Sequence, residues 1–293
     1  MINAPHPLAI DHVSAGADPF HNEDMVAVFE HEGVTDILVL DGATSVAERD
    51  YVDAAAGDVV WFVTQFCRHL EPQLRRGRSQ ADSVKAALAD LRRDFLERTG
   101  RGDVPLHAWP IAAMSWLRIV ATGPAHVLHA YCVGDCKTLL YREGSAVLDL
   151  DPYVNPQEGI LQAEIERLTQ AGVDATARKA HLLPMLRARR EQQNTMAAPA
   201  ILCLDPRGEL AARTFALALD PGTAVLGMTD GFYRIVDPYQ LQSADAMARR
   251  CVAEGVAAVL ADLRHFEADR QRADSGAVKR ADDASAVVCM VLN

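Results

Sequence analysis

Four acidic segments stand where short apolar runs begin or stop. Asn22-Glu23-Asp24 precedes the run 25–29, and Asp41-Gly42 follows 37–40. Asp230-Gly231 closes 225–229, and Asp282-Asp283 precedes 286–292. Carboxylates gathered in one place repel unless a cation lies between them, and an all-oxygen donor set suits a hard divalent ion such as Mg²⁺ or Mn²⁺. Taken singly, each segment is also ordinary. Asp-Gly is a common turn dipeptide because Gly tolerates positive φ, and an acidic pair before a strand is commonly a solvated loop. The combination, each member at a strand end, points to a metal site.

In this order the segments resemble the metal-dependent Ser/Thr protein phosphatases, the PPM or 2C-type family, and its bacterial members in particular. His21-Asn22-Glu23-Asp24 is similar to the family's Asn-Glu-Asp element, and Val39-Leu40-Asp41-Gly42 to its strand-ending Asp-Gly. Val133-Gly134-Asp135-Cys136, with Leu139-Leu140-Tyr141, resembles its Gly-Asp-Ser hairpin. Met228-Thr229-Asp230-Gly231-Phe232 and Asp282-Asp283-Ala284-Ser285 resemble its last two elements. Together the five span residues 22–288.

The resemblance implies an α+β fold: a four-layer αββα sandwich of two mostly antiparallel sheets flanked by helices. It implies hydrolysis of phosphoserine and phosphothreonine in proteins by a water activated between two Mn²⁺ or Mg²⁺ ions. Asp41 would bridge the ions, the Gly42 carbonyl would bind one of them, and Asp230 and Asp282 would complete the shell of the second. Asp41, Asp230 and Asp282 are thus the expected catalytic set. Asp24, beside Glu23, would act through water or from behind the ligands. Asp135 matches a residue that helps hold a third, weaker metal in some bacterial members. Asp283 is expected to turn away, as a turn or capping carboxylate, since neighbours at a strand start point to opposite sides.

Two departures bear on mechanism. Family members often carry an Arg three residues before the Asn-Glu-Asp element, where it grips the substrate phosphate; here that residue is Pro19. Proline cannot replace a bidentate guanidinium. Arg49, Lys279 and Arg280 are candidate substitutes, each equally readable as a surface charge. Ala43-Thr44 follows Gly42, so no His general acid stands at the Asp-Gly-His position, while His21 adjoins Asn22. An inactive pseudophosphatase that binds a phosphoprotein or another ligand is the alternative reading, and an unrelated interaction scaffold is a third.

Composition sets bounds. A net charge of −11 over 293 residues argues against a nucleic-acid surface, and 49% hydrophobic content is ample for a core. No stretch suits a bilayer span, and residues 1–10 carry no leader pattern of basic, apolar and small residues. Six cysteines without a Cys-x-x-Cys read as reduced, buried thiols of a cytoplasmic protein.

Several elements must position the acidic segments. Val59, Phe62, Val63, Phe66 and Leu70 recur at helical spacing, as do Val84, Ala87, Leu88, Leu91 and Phe95. Short strands broken by turn residues over 112–149 predict a meander, and 200–204 and 214–219 predict further strands. One long helix is expected through Met247, Cys251, Val256, Val259 and Leu263, followed by a charged loop over 264–280. Residues 151–200 predict a helix around Leu161, Ile165 and Leu168 and a solvated one around 187–191. In the family this is a variable flap over the active site, and hence the expected specificity element. No linker or repeat divides the chain, so a single domain over 1–293 is expected.

Overall fold

The alternation of one strand sets the layering of the molecule. The computed structural model describes residues 6–100, 102–273 and 281–293. In its third strand, Ile37, Leu38, Val39 and Leu40 are all fully buried. Successive strand side chains point to opposite faces. Ile37 and Val39 therefore meet Val225 and Val287 of a second sheet, while Leu38 and Leu40 meet Phe62, Phe66 and Leu91 of covering helices. A strand buried on both faces reads as an unbroken apolar run.

In chain order, β1 (Leu8–Ala15), β2 (Asp24–His31) and β3 (Val34–Gly42) lead to helices α1 (Asp58–Leu74) and α2 (Gln80–Arg98). Next come β4 (Ile111–Thr122), β5 (Ala125–Val133), β6 (Lys137–Arg142) and the short β7 (Leu148–Asp149). Helices α3 (Pro156–Gln170) and α4 (Ala175–Gln193) precede β8 (Leu202–Cys203), β9 (Arg213–Leu219) and β10 (Thr223–Met228). The single turn α5 (Asp230–Tyr233), then α6 (Ala244–Glu254) and α7 (Val256–Ala273), return the chain to β11 (Ala284–Val291).

One sheet has the order β1-β11-β10-β6-β7; the other runs β2-β3-β4-β5-β9, with β8 paired to β4. Every pairing among the described strands is antiparallel. On the outer side of the first sheet, Leu226, Met228 and Val288 pack with Met247, Cys251, Val259 and Leu263 of α6 and α7. The order of layers is helix, sheet, sheet, helix. This is the expected α+β sandwich.

Three local expectations are corrected. The strands of 112–149 are not one meander: β4 and β5 lie in one sheet and β6 and β7 in the other. The chain changes sheet at Gly134, whose φ is +78° and where a Cβ would collide with Ala113. The single helix through Met247 and Leu263 is two. Gly255 at φ +90° breaks it, and Asp11 Oδ2 caps the new N-terminus by accepting from the Val256 N–H at 2.9 Å. The charged loop expected from 264 is helical to Ala273, because Leu263 and Glu267 bury one face while His265 and Asp269 stay outside. Arg264 fastens that helix, donating to Glu267 at 2.7 Å and to the Ala15 carbonyl at 2.8 Å.

Candidate metal centre and its arginine-bearing rim

Both sheets deliver carboxylates to the same end of the sandwich. Asp24 opens β2 and stands directly opposite Asp41, the penultimate residue of β3. From the other sheet, Asp230 follows the end of β10 and Asp282 lies just before β11. Asp135 sits in the crossing between β5 and β6.

Their electrostatics tie them together. Burial raises the Asp41 carboxyl well above its ordinary value, and the negative charges of Asp230, Asp24, Asp135 and Asp282 raise it further. The other four expected carboxylates thus all bear electrostatically on Asp41. Asp24 is pushed up to about 8, first by burial and then by Asp283 and Asp230, against the hydroxyls of Thr229 and Ser285. Burial also raises Glu23, opposed by hydrogen bonding to Thr44 and His21.

Neighbouring groups hold these side chains in place. The buried Thr229 hydroxyl donates to Asp24 Oδ2 at 2.8 Å, and Thr44 donates to Glu23 Oε2 at 2.8 Å. The Gly42 N–H donates to the Glu23 carbonyl at 3.2 Å, and a side chain at Gly42 would strike that carbonyl and Val59. Gly231 is similarly required, since a Cβ there would collide with the Asp283 carbonyl. Asp283 accepts from the N–H groups of Ala17 (2.8 Å) and Glu23 (2.6 Å), pinning the loop before β2. It thus fixes a turn as expected, but it does not turn away from the acidic group, since its charge also raises Asp24 and Glu23.

Among the described residues, no three His, Cys, Asp or Glu side chains stand close enough to form a ready-made metal cage. The donor chemistry nonetheless fits a hard cation. The gathered side chains offer carboxylate oxygens, and the burial and repulsion that raise Asp24 and Asp41 are what a divalent ion relieves. Cys136 fits poorly as a ligand, because burial and then Asp41 hold its thiol well above the ordinary range. All six cysteines are buried and unbridged.

The cations around this centre come from places that sequence reasoning passed over. Arg234, four residues after Asp230, lies 3.6 Å from Asp282 and over the Tyr239 ring. Three arginines of α4 reach the loop after Gly42 and the base of α3. Arg187 donates to the Val46 carbonyl at 2.8 Å and pairs with Glu48. Arg190, 6% exposed, donates to the carbonyls of Ala43 and Thr44 at 3.3 and 3.2 Å. Its burial corrects the expectation of a wholly solvated helix there. Arg189 Nη2 donates to Asn155 Oδ1 at 3.2 Å, and Asn155 Nδ2 donates to Asp135 Oδ2 at 2.8 Å.

Below α3, Arg213 of β9 grips buried Asp151 through both oxygens, at 2.6 and 2.7 Å, and donates to the Gly134 carbonyl. The segment carrying α3 and α4 is therefore tied to the Asp135 turn. Of the expected phosphate-binding substitutes, Arg49 lies over the Tyr51 ring at 4.7 Å, and Lys279 and Arg280 fall outside the described residues. Pro19 lies in a tight turn closed by Asp18 and His21, next to Phe20, which is 95% exposed. His21 Nε2 lies 3.5 Å from Glu23.

No family model matches the chain, and no curated protein matches its sequence. Solved structures match it over nearly its whole length. It is similar to the serine/threonine phosphatase Stp1 from Staphylococcus aureus, at 9% identity over 100% of this chain and 98% of that one, with a TM-score of 0.56. It is also similar to the S. agalactiae serine/threonine phosphatase, at 12% identity over 97% and 100% of the two chains and a TM-score of 0.55. A third is the catalytic domain of the serine/threonine protein phosphatase PstP, described in complex with two manganese ions. It gives 16% identity, 98% and 99% coverage, and a TM-score of 0.50. The chain has the fold of the PPM-type phosphatases. At such identities the shared property is the fold, and activity must be argued from the site.

Proposed function

We propose that this chain is a metal-dependent phosphomonoester hydrolase acting on phosphoserine and phosphothreonine in proteins. The observation that carries the reading is the convergence of Asp24, Asp135, Asp230 and Asp282 on Asp41 from the ends of both sheets. A lone acidic turn is commonplace. Four carboxylates bearing on a fifth, buried one call for a multivalent cation.

On this reading Asp41 would help hold both of two Mn²⁺ or Mg²⁺ ions, and the Gly42 carbonyl would help hold one of them. Asp230 and Asp282 would hold the other, Asp135 a third, and Asp24 would act through water. When bound, such a pair of ions lowers the pKa of a water and neutralises phosphoryl oxygens for in-line displacement. The protein's own part is positioning. Thr229 fixes Asp24, Arg234 faces Asp282 and Asp283 fixes the Asn22–Asp24 turn, so the carboxylates that would hold the ions are set in place with little reorganisation. Residues 151–200 serve as the specificity flap of a single domain over 1–293. The buried thiols support a reducing compartment, the cytoplasm.

The test is hydrolysis of a phosphothreonine peptide by chelator-stripped protein, before and after Mn²⁺ is restored. Turnover that needs Mn²⁺ is expected. A stripped protein that regains Mn²⁺ but turns over neither this peptide nor para-nitrophenyl phosphate is instead a pseudophosphatase.

A further inference from the structure

We propose that Arg189 supplies the phosphate grip that Pro19 cannot. The inference rests on the phosphatase reading above. A phosphoryl dianion near the carboxylates needs a cation that is close, oriented and uncommitted. The described cations around the centre divide on the last point. Arg187 is paired with Glu48, Arg213 with Asp151 and Arg234 with Asp282. Arg190 is spent on the carbonyls of Ala43 and Thr44, and Lys137 lies between the Tyr153 carbonyl and Asp149.

Arg189 differs from all of these. Its Nε is buried and has no hydrogen-bond partner among the described residues, while its Nη2 donates to Asn155. A buried donor left unpaired is unfavourable, so it calls for a partner. Nε and a terminal nitrogen of one guanidinium form the fork that takes two phosphoryl oxygens. The group is also held in place: Asn155 links it to Asp135, and Arg187 and Arg190 on either side bolt its helix to the loop after Gly42. A guanidinium with its Nε unclaimed, fixed at the rim of a carboxylate centre, is placed to orient the phosphate.

The experiment is calorimetric titration of inorganic phosphate into Mn²⁺-loaded wild type, Arg189→Ala and Arg189→Lys, with KM and kcat on para-nitrophenyl phosphate alongside. Arg93→Ala, at an exposed ion pair of α2 outside the flap, is the control. Arg189→Ala should weaken phosphate at least about tenfold, the scale of one charge-assisted contact. KM should rise in parallel while Mn²⁺ affinity stays put. Arg189→Lys should recover part of the loss, and added guanidinium ion should rescue the Ala variant. Phosphate affinity within about twofold of wild type in a folded Arg189→Ala, or wild type that takes Mn²⁺ but no phosphate, overturns the proposal. If Arg189→Ala folds poorly, Arg189→Lys decides by the same titration, since a point charge cannot reproduce the fork. Phosphate binding lost in the variant, with no turnover even in wild type, would instead sink the hydrolase reading and leave the grip standing.

Discussion

Asp24 and Asp41 face each other directly across the β2–β3 ladder. Like charges directly opposite destabilise a sheet, and here both carboxyls are also raised by burial. An arrangement that weakens the fold in isolation makes sense where a cation is to be held.

The first consequence concerns pH in the absence of metal. Asp24 lies at about 8 in the folded chain, against about 3.9 for an unfolded one. Between those values the folded protein keeps a proton that the unfolded chain has released, so this group's contribution makes stability fall as pH rises. Chelator-treated protein should melt higher at about pH 5.5 than at about pH 8, and Asp24→Asn should flatten the difference. Mn²⁺ should raise the melting temperature most at the alkaline end, where the carboxylates are free to bind it. A pH profile identical in wild type and Asp24→Asn would contradict this.

Substitution should separate the two residues by activity as well. Asp24→Asn keeps the shape of a group acting from behind the ligands and should lower Mn²⁺-dependent turnover about 10–100-fold. Asp41→Asn should cost more than that, because it alone is assigned to both ions. Equal and total loss from both variants would mean that Asp24 binds metal directly.

The flap has its own anchor. Arg213→Ala would leave Asp151, 3% exposed, as an unpaired buried charge. Breaking a buried pair costs roughly 3–5 kcal/mol, and the low end applies because the Arg213 side chain is 28% exposed. Chemical denaturation should show that loss, and amide exchange should speed up over α3 and α4 before the sheets. Uniform exchange across the chain would show that Arg213 holds the whole fold instead.

At the far helix, Asp11→Ala removes the oxygen that caps α7 and should cost about 1 kcal/mol. Activity should be unchanged, since the capped helix packs behind the first sheet. A variant as stable as wild type would show that the cap is idle.

The acidic strand ends were legible in the sequence because they are marked locally, by an apolar run that stops at Asp-Gly or starts after an acidic pair. The layers were legible for the same reason, as with Ile37 through Leu40. What stayed hidden depends on non-local partners. β1 escaped notice because Asp11 and His12 interrupt its alternation, and its pairing with β11 comes from the other end of the chain. Gly255 looks like a tolerated helical glycine until Asp11 arrives to cap the next turn. Arg190 reads as solvent-facing within a charged run, and only the fold shows the backbone carbonyls of Ala43 and Thr44 beneath it. The i+4 spacing from Asp230 to Arg234 was the one signal available for a cation beside the centre.

The central claim is that the gathered carboxylates bind metal through Asp41. Its most direct test is calorimetric titration of Mn²⁺ into chelator-stripped wild type and Asp41→Asn. The account predicts saturable binding of at least two ions per chain in wild type, with the tight phase lost in Asp41→Asn while the variant stays folded. Wild type that takes up no Mn²⁺, or an Asp41→Asn variant that binds it as wild type does, would contradict the account.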